Sequence, residues 1–233
     1  MPHWLKKTMA CRTLFVTGTD TGVGKTLVSA ALLHTLARHH ARVVGMKPVA
    51  AGLVERRGQW VSEDVLALRA ASTLAVPPAL DNPVALPDPL SPHLAARRAG
   101  RSLSVAELLA PARALETMAD ALVVEGAGGW RVPLSESETL ADVARALGAP
   151  VLLVVGLRLG CLNHAVLTAE AIRADGLPLV GWVANHIDPQ MTAADENLAY
   201  LRGALGAPLW GEVPWSPAPD AALVRLDLPE AFQ

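Results

Sequence analysis

The sequence is poor in cysteine, and its histidines are scattered. The two cysteines, Cys11 and Cys161, are too few for a disulfide framework, and neither has the spacing of a metal ligand. Of the seven histidines, only His39 and His40 are adjacent, and no two are four residues apart. We therefore expect neither a disulfide scaffold nor a structural metal site.

The chain also lacks an excess of positive charge and any long hydrophobic run. Its 20 basic and 22 acidic residues give a net charge of −2, which argues against nucleic acid and anionic lipid as partners. The longest apolar run, 149–157, is too short to cross a bilayer. Residues 1–8 lack the apolar core of a signal peptide. We expect a cytoplasmic protein in which residues 1–11 are a disordered or dispensable extension, with Met9 as an alternative start.

Lysine accounts for only four of the 20 basic residues. Lys6 and Lys7 belong to the N-terminal extension, and the other two are Lys25 and Lys47. Arginine cannot replace lysine where the chemistry needs a compact ammonium group. A lysine kept in such an arginine-rich chain is therefore a candidate for a chemical role, although the positions could also be due to chance.

A glycine-rich turn near the N-terminus, residues 18–26, has the composition of a phosphate-binding loop. An apolar strand precedes it, and a helical pattern follows at 27–39. The backbone N–H groups of such a turn bind polyphosphate, Lys25 adds a positive charge, and the Thr26 hydroxyl can ligate Mg²⁺. Five residues rather than four separate Gly18 from Gly24, so we predict a variant of the common loop. An ordinary glycine turn before a helix is the alternative.

Apolar runs alternate with helical patterns along the chain. Strands are expected at 13–16, 42–47, 120–125, 150–156, 179–185 and 209–213. Helices are expected at 27–39, 62–69, from 91, at 104–118 with a Ser104–Glu107 capping box, at 139–147, from about 164 to 174, at 192–205 and at 219–225. The stretches 49–60 and 76–92 are expected to be irregular. This alternation predicts an α/β fold, a parallel sheet covered by helices on both faces, resembling the phosphate-loop NTP hydrolases, in one domain at 12–233.

Polar residues at the ends of the expected strands are the candidates for chemistry. Lys47 ends the second strand and Glu125 ends the third, at the edge where open parallel sheets bind ligands. Glu125 precedes a run of glycines and is either a Mg²⁺ ligand beside a triphosphate or a solvated strand end. Asp64, in the first turn of a helix, either complements the helix dipole or ligates Mg²⁺.

Two further positions at strand ends have more than one interpretation. The turn at 157–164 opens a helix, so it could bind a second anion such as a substrate carboxylate, or it could be a packing turn. Asn185 ends a strand and is either a turn residue or a reader of a base edge.

A phosphate-binding loop is compatible with an ATP-dependent enzyme, a nucleotide switch or a non-catalytic binding module. A GTP-dependent switch would need an Asn/Thr-Lys-x-Asp guanine reader, and no lysine follows position 47. The ATP-driven switch stays open. A non-catalytic binding module would leave both the loop and Lys47 unexplained.

Several segments together resemble the dethiobiotin synthetase family, over about residues 12–215. They are TGTDTGVGKT at 17–26, KPVA at 47–50, SPH at 91–93, VEGAGG at 124–129, GCLNH at 160–164, GWVAN at 181–185 and GEVPW at 211–215. Many enzymes share the phosphate loop alone. The combination of Lys-Pro-Val with Glu-Gly-Ala-Gly-Gly in this order is much more specific.

The resemblance implies a Mg²⁺-dependent ligase of biotin biosynthesis. The family converts 7,8-diaminononanoate, CO₂ or bicarbonate, and ATP to dethiobiotin, ADP and phosphate. One amine captures CO₂ as a carbamate, the γ-phosphoryl group of ATP activates the carbamate as a mixed anhydride, and the second amine closes the cyclic urea. A related amide-forming ligase and the ATP-driven switch are the alternatives.

The resemblance also implies roles for individual residues. The catalytic residues would be Lys47 and Lys25, and the Mg²⁺ ligands Thr26, Asp64 and Glu125. The nucleotide site would comprise Gly22, Val23, Gly24, Lys25, Thr26, Leu27, Asp64, Glu125, Gly126, Ala127, Gly128, Asn185, Val213, Pro214 and Trp215. The substrate site would comprise Thr21, Lys47, Leu159, Gly160, Cys161 and Asn163.

The family further implies a homodimer, in which segment 159–163 meets the substrate carboxylate from the partner chain. Three positions depart from the family pattern. Ala51 replaces a Ser or Thr of some members, so we assign no substrate contact to it. His186 replaces a common acidic residue on the adenine side, and Arg158 replaces a common Lys, a change that we expect to be harmless.

Overall fold

The computed structural model describes residues 11–233. Within this range the strands are β1 (Arg12–Gly18), β2 (Val43–Met46), β3 (Val49–Ala51), β4 (Val54–Arg56), β5 (Gln59–Val61), β6 (Val84–Leu86), β7 (Ala121–Glu125), β8 (Val151–Leu157), β9 (Leu179–His186) and β10 (Leu209–Val213). The helices are α1 (Lys25–Leu36), α2 (Glu63–Ala71), α3 (Pro78–Asp81), α4 (Pro92–Arg98), α5 (Val105–Met118), α6 (Leu140–Leu147), α7 (Cys161–Ala174) and α8 (Ala194–Ala204). Two short 3₁₀ turns follow at Ala221–Leu223 and Glu230–Phe232.

Six strands form the central sheet in the order β10-β9-β8-β1-β7-β2, and all of its pairs are parallel. These are the six strands expected from the apolar runs. Because β1 lies between β8 and β7, the glycine-rich turn that follows it leaves from the middle of the sheet. The carboxyl ends of the neighbouring strands therefore surround this turn.

Helices cover both faces of the sheet, because alternate strand residues point to opposite sides. Leu14 and Val16 of β1 pack on one side with α1 and α2. Phe15 points to the other side, where it packs with α5 and α6 and makes an edge-on contact with Trp130, the ring centroids being 6.0 Å apart. Around Trp182, α7 and α8 pack in a third apolar cluster. The expected α/β class with helices on both faces is confirmed.

The stretches expected to be irregular contain short strands. In the first, β4 and β5 form an antiparallel hairpin, and β3 pairs in parallel with β6 from the second stretch. The second stretch also contains α3, a single turn that begins at Pro78. Each of these elements has only three or four residues, too few to show a periodic apolar pattern.

The helix expected at 219–225 is absent from the described chain, where only a 3₁₀ turn forms. Its start is capped by the Asp220 carboxylate, which accepts a hydrogen bond from the Ala222 N–H at 2.9 Å. After the turn, Leu226 and Leu228 pack on the core with α1. Two buried leucines separated by one residue fit an extended segment rather than a helix.

The Ser104–Glu107 capping box is only half formed. The Ser104 hydroxyl accepts a hydrogen bond from the Glu107 N–H at 3.2 Å, but the Glu107 carboxylate pairs with Arg101. At the start of the chain, Cys11 packs against the core, and the rest of the expected extension, 1–10, lies outside the described residues. No helix in residues 11–233 is long and apolar enough to cross a membrane.

Candidate active site

The glycine-rich turn adopts a backbone that requires glycine at two positions. Gly22 and Gly24 have φ angles of +73° and +86°, which side-chain-bearing residues rarely adopt. A Cβ atom on Gly24 would also lie 2.1 Å from the Asn185 Nδ2 atom. The turn thus leads directly into α1, leaving the N–H groups at the helix start available to an anion.

Lys25, the first residue of α1, is buried beneath the turn. Its Nζ atom donates a hydrogen bond to the Asp20 carbonyl at 3.0 Å, so the ammonium group lies inside the curve of the loop. Burial and the nearby positive charge of Lys47 lower the pKa of Lys25 from its ordinary 10.5 to about 8. An anion bound at this loop would favour the charged form of Lys25 and so oppose both effects.

Lys47 lies at the centre of a cluster of charged groups. Its Nζ atom is 2.6 Å from the Glu125 Oε1 atom and 2.7 Å from the Asp64 Oδ2 atom. It also donates to the Gly126 carbonyl at 3.3 Å. The Thr26 hydroxyl donates to the same Glu125 oxygen at 2.9 Å. The lysine singled out by its scarcity is therefore joined to the phosphate loop through one buried carboxylate.

The sheet register and a helix cap explain this convergence. Met46 of β2 pairs with Val124 of β7, so Lys47 and Glu125, each one residue further along, leave the sheet side by side. Asp64 arrives from the first turn of α2, whose N-cap residue Ser62 accepts the Val65 N–H. Three separate elements thus bring their charges to one edge of the sheet.

Lys47 and Asp64 each stabilise the charged form of the other. Burial disfavours the Lys47 ammonium, but the Glu125 and Asp64 carboxylates outweigh it and raise the lysine pKa. For Asp64 the partial burial acts to raise the pKa, and the attraction of Lys47 overcomes it, so that the pKa is lowered. At neutral pH Lys47 is therefore a cation and Asp64 an anion.

The oxygen atoms of this cluster suit a hard divalent cation. Glu125 is fully buried, and its Oε2 atom has no hydrogen-bond partner in the described part of the chain. An unsatisfied buried carboxylate oxygen is costly unless a cation or water binds to it. With the Thr26 hydroxyl and the half-exposed Asp64, it forms an oxygen donor set of the kind that Mg²⁺ prefers. No group of three His, Cys, Asp or Glu residues forms a metal site anywhere in 11–233.

A second glycine-rich loop, 126–129, lies against the first. Gly128 has a φ of +62°, and a Cβ atom built on it would be 3.5 Å from the Thr21 hydroxyl. A Cβ atom on Gly129 would be 3.6 Å from the Gly18 carbonyl. The loop that follows Glu125 therefore packs against the residues of the first glycine-rich turn, including Thr21.

Asn185 supports the phosphate loop from the side. Its Nδ2 atom donates to the Val23 carbonyl at 2.9 Å, and the side chain is buried. In the neighbouring strand, Val213 pairs with Asn185 and is buried, whereas Pro214 and Trp215 are exposed. Of the residues expected on the adenine side, Asn185 contacts the loop directly, and Val213 lies next to Asn185 in the sheet. Next to them, the His186 Nε2 atom lies 2.7 Å from the Glu212 Oε1 atom.

The segment 159–163 is less directly connected to the site. Leu159 is 97% exposed, and Gly160 adopts a φ of +93° at the start of α7. The Cys161 side chain is buried in the core beneath α7, while Asn163 is exposed. Within 11–233 no hydrogen bond or ion pair joins these side chains to the Lys47 cluster.

The sequence did not identify two groups of supporting residues. Arg158 forms an ion pair with Asp20 of the phosphate loop, and the Asp20 carboxylate also accepts the Thr21 N–H at 2.7 Å. Asp81 and Asn82 bind the main chain of Lys47, at 2.8 Å in each case. No sequence pattern predicts a contact with a main-chain group. Asp81 stands out only as one of the few charged residues in 76–92.

Comparisons with known proteins agree on fold and family. Residues 12–222 match a family described as an AAA domain. The chain is 52% identical to the ATP-dependent dethiobiotin synthetase BioD of Xanthomonas axonopodis pv. citri (strain 306), and 53% identical to the protein of the same name from Xanthomonas euvesicatoria pv. vesicatoria (strain 85-10). Each alignment spans 208 residues, 89% of this chain and 93% of the relative.

Solved structures of similar fold are much more distant in sequence. A ParA family ATPase from Chlorobium tepidum TLS is 16% identical, with a TM-score of 0.56 over 90% of this chain and 86% of that one. The MinC:MinD cell division complex of Aquifex aeolicus is 15% identical, with a TM-score of 0.54 over 89% and 83%. These likenesses support the fold alone. The close relatives and the extent of their alignment establish that the chain belongs to the ATP-dependent dethiobiotin synthetase family.

Proposed function

We propose that this chain closes the cyclic urea of dethiobiotin from 7,8-diaminononanoate, CO₂ and ATP, with Lys47 and Lys25 as its catalytic residues. Membership of the family supports the reaction. The observation that supports the residue assignment is the position of the Lys47 ammonium, which lies between Glu125 and Asp64, beside Thr26 of the phosphate loop.

The reaction has to bring two anions together. One amine of the substrate adds to CO₂ and loses a proton, giving a carbamate. A carbamate oxygen then attacks the γ-phosphorus of ATP, forming the mixed anhydride and releasing ADP. The second amine attacks the carbonyl carbon, the phosphate leaves with the former carbamate oxygen, and the amine loses its proton. Because carbamate and triphosphate repel each other, cations must offset their charge.

We propose that the two lysines supply that charge. Lys25 lies under the phosphate loop and would contact the terminal phosphates. Lys47 follows β2, two strands from β1 in the sheet, and would face the carbamate. In phosphoryl transfer the protein contributes mainly position and electrostatic stabilisation. A fixed ammonium group needs no reorganisation when charge moves from one anion to the other.

Thr26, Asp64 and Glu125 would hold Mg²⁺, which fits the unsatisfied Glu125 oxygen. When bound, the ion would withdraw charge from the phosphate oxygens of ATP. The Lys47 ammonium contacts two of the same carboxylates, so the lysine and the ion would share them. This sharing would keep the lysine close to the transferred phosphoryl group.

The remaining assignments follow the two glycine loops. Residues Gly22 to Leu27 would bind the phosphates, and Glu125 to Gly128 would lie along the nucleotide. Asn185 and Val213 to Trp215 would contact the adenine side. Thr21 would face the substrate, whose carboxylate would reach segment 159–163 of a partner chain in a homodimer. We retain the cytoplasmic location expected from the sequence.

The direct test is product formation from labelled bicarbonate. The purified chain is incubated with 7,8-diaminononanoate, ¹³C-bicarbonate, ATP and Mg²⁺, and the products are separated by mass. We expect a cyclic urea that contains one ¹³C, formed with one ADP per urea. ATP hydrolysis that is independent of the diamine, without urea, would instead identify an ATP-driven switch.

Replacing Lys47 by Ala in the same assay tests its role. We expect the variant to lose about a hundredfold to a thousandfold in turnover, because removing one fixed group that stabilises transition-state charge typically costs that much. Lys47→Arg is the folding control, since it keeps a cation beside the buried Glu125, and circular dichroism checks the fold of both. Undiminished turnover by Lys47→Ala would refute the assignment.

A further inference from the structure

The sheet cannot provide hydrogen-bond partners for the main-chain N–H and C=O groups of Lys47. Strand β2 is an edge strand that ends at Met46, and residue 48 is a proline. Lys47 is only 4% exposed, so water cannot readily reach its N–H and C=O groups. Buried main-chain groups need hydrogen-bond partners, and here the partners must come from elsewhere in the chain.

A turn from the proline-rich connection supplies both partners. The Lys47 N–H donates to the Asp81 carbonyl at 2.8 Å. The Asn82 Nδ2 atom donates to the Lys47 carbonyl at 2.8 Å and to the Val84 carbonyl at 3.1 Å. Two adjacent residues therefore hold the peptide groups on either side of the Lys47 Cα atom.

This turn is itself fixed by an ion pair between the exposed Arg69 and the buried Asp81 carboxylate. The Arg69 Nε and Nη2 atoms each lie 2.6 Å from a different oxygen of the Asp81 carboxylate. Asp81 is 4% exposed, and a two-pronged guanidinium contact fixes the orientation of a carboxylate as well as its charge. Because Arg69 neutralises it, Asp81 adds no net negative charge near the two carboxylates that hold the lysine head.

One helix contacts the Lys47 ammonium group directly and its main chain through the Asp81–Asn82 turn. Helix α2 carries Asp64, which contacts the ammonium group, and Arg69, which anchors the turn that binds the main chain. We propose that Arg69, Asp81 and Asn82 are positioning residues for Lys47, an inference that rests on the proposed function of that lysine. They act on the reaction through the lysine and not by contact with substrate.

The first test compares kcat with KM in variants of the two side chains. Weakening the hydrogen bonds to the Lys47 main chain would let its ammonium group move. A misplacement of about 1 Å can reduce a rate about a hundredfold. We expect Arg69→Gln and Asn82→Ala to lower kcat about tenfold to a hundredfold, with the KM for ATP within about twofold of the parent. Arg69→Lys, which keeps the charge, should recover part of the loss.

Arg42 offers a matched control at the opposite end of β2. Its Nη2 atom lies 2.6 Å from the Asp120 Oδ1 atom, so it forms an Arg–Asp pair beside the same strand but away from Lys47. Arg42→Gln should leave both kinetic constants unchanged. A kcat within about twofold of the parent in Arg69→Gln and Asn82→Ala would overturn the proposal. So would an equal loss in Arg42→Gln, because the effect would then be one of general stability.

A second measurement follows Lys47 without the reaction. The chain has only four lysines, so labelling lysine with ¹³C at Cε gives few signals, and Lys47→Arg assigns the one of interest. We expect the Lys47 signal to shift or broaden in Asn82→Ala and to stay unchanged in Arg42→Gln. An unchanged signal in Asn82→Ala would overturn the positioning role. If the signal moves but the parent makes no dethiobiotin, the positioning role holds and the proposed function fails.

Discussion

Two opposing effects decide the charge of the Lys47 side chain. Burial acts to remove the proton, while the carboxylates of Glu125 and Asp64, at 2.6 and 2.7 Å, act to keep it. The carboxylates prevail and raise the pKa of Lys47, so the buried lysine is a cation. A buried ion pair with additional hydrogen bonds is costly to break by removing one partner. Lys47 therefore differs from Lys25, whose pKa of about 8 lies closer to neutral.

At the same scale, Asp64→Asn tests the proposed Mg²⁺ ligand. The change preserves size but removes one of the negative charges that would hold the ion, so we expect the Mg²⁺ concentration for half-maximal activity to rise about tenfold or more. Glu63→Gln is the control, because Glu63 is the neighbouring carboxylate of α2 and pairs with Arg56 on the surface. Magnesium titrations of Asp64→Asn that match the parent would exclude Asp64 as a ligand.

Single residues could be predicted from sequence only where their chemistry is unusual. Lys47 was identified because lysine is scarce, and Glu125 because it ends an apolar strand. Asn82 was not, since its contribution is one side-chain N–H given to a carbonyl 35 residues away. Such a contact depends on tertiary placement, which no local pattern encodes.

At the scale of elements, helix α6 has the more complete N-terminal cap. The Asp142 carboxylate accepts hydrogen bonds from both the N–H and the hydroxyl of Thr139, at 2.8 Å each, and contacts Arg145 at 2.9 Å. Partial burial acts to raise the pKa of Asp142, but these donors outweigh it and hold the pKa below its ordinary 3.8. The charged carboxylate thus stabilises the start of the helix.

We expect Asp142→Ala to cost about 1 kcal/mol of unfolding free energy at pH 7, measured by urea unfolding. The folded-state pKa is lowered, so the contribution is complete above pH 3.8 and is lost as the pH falls through the folded pKa. Glu107→Ala is the control at the equivalent position of α5, where the carboxylate pairs with Arg101 and not with the cap. Equal losses in the two variants would show that the Asp142 cap contributes nothing specific.

The elements that could be predicted are those whose residues repeat. Strands such as β8 are continuous apolar runs, and helices α2 and α5 begin at the capping residues Ser62 and Ser104. The pairing of β3 with β6 was missed because it joins three residues at 49–51 to three at 84–86. Strands this short gain their stability from the partner, which the local sequence does not reveal.

At the scale of the whole molecule, the proposed homodimer is testable through the exposed apolar residues of the chain. Leu159 is 97% exposed before α7, and Leu167 of α7 and Tyr200 of α8 are 55% and 56% exposed. Apolar side chains on these two packed helices would be covered by a partner chain. We expect light scattering to report a dimer, and Leu159→Glu to weaken the dimer and lower activity.

Leu223→Glu is the control for this experiment. Leu223 is similarly apolar and 72% exposed, but it lies in the C-terminal 3₁₀ turn that packs with α1, on the opposite face of the sheet from α7 and α8. This variant should remain dimeric and active. A fully active parent monomer would contradict a site completed by the partner chain.

In the proposed reaction, a carbamate and a triphosphate meet between Lys25 and Lys47. The most direct measurement mixes the chain rapidly with ¹⁸O-bicarbonate, 7,8-diaminononanoate, ATP and Mg²⁺, and reads the isotope content of the released phosphate by mass. Because the carbamate oxygen would attack the γ-phosphorus and leave with it, we predict one ¹⁸O atom in the phosphate for each dethiobiotin formed. Dethiobiotin accompanied by unlabelled phosphate, under conditions where the bicarbonate keeps its label, would contradict the account.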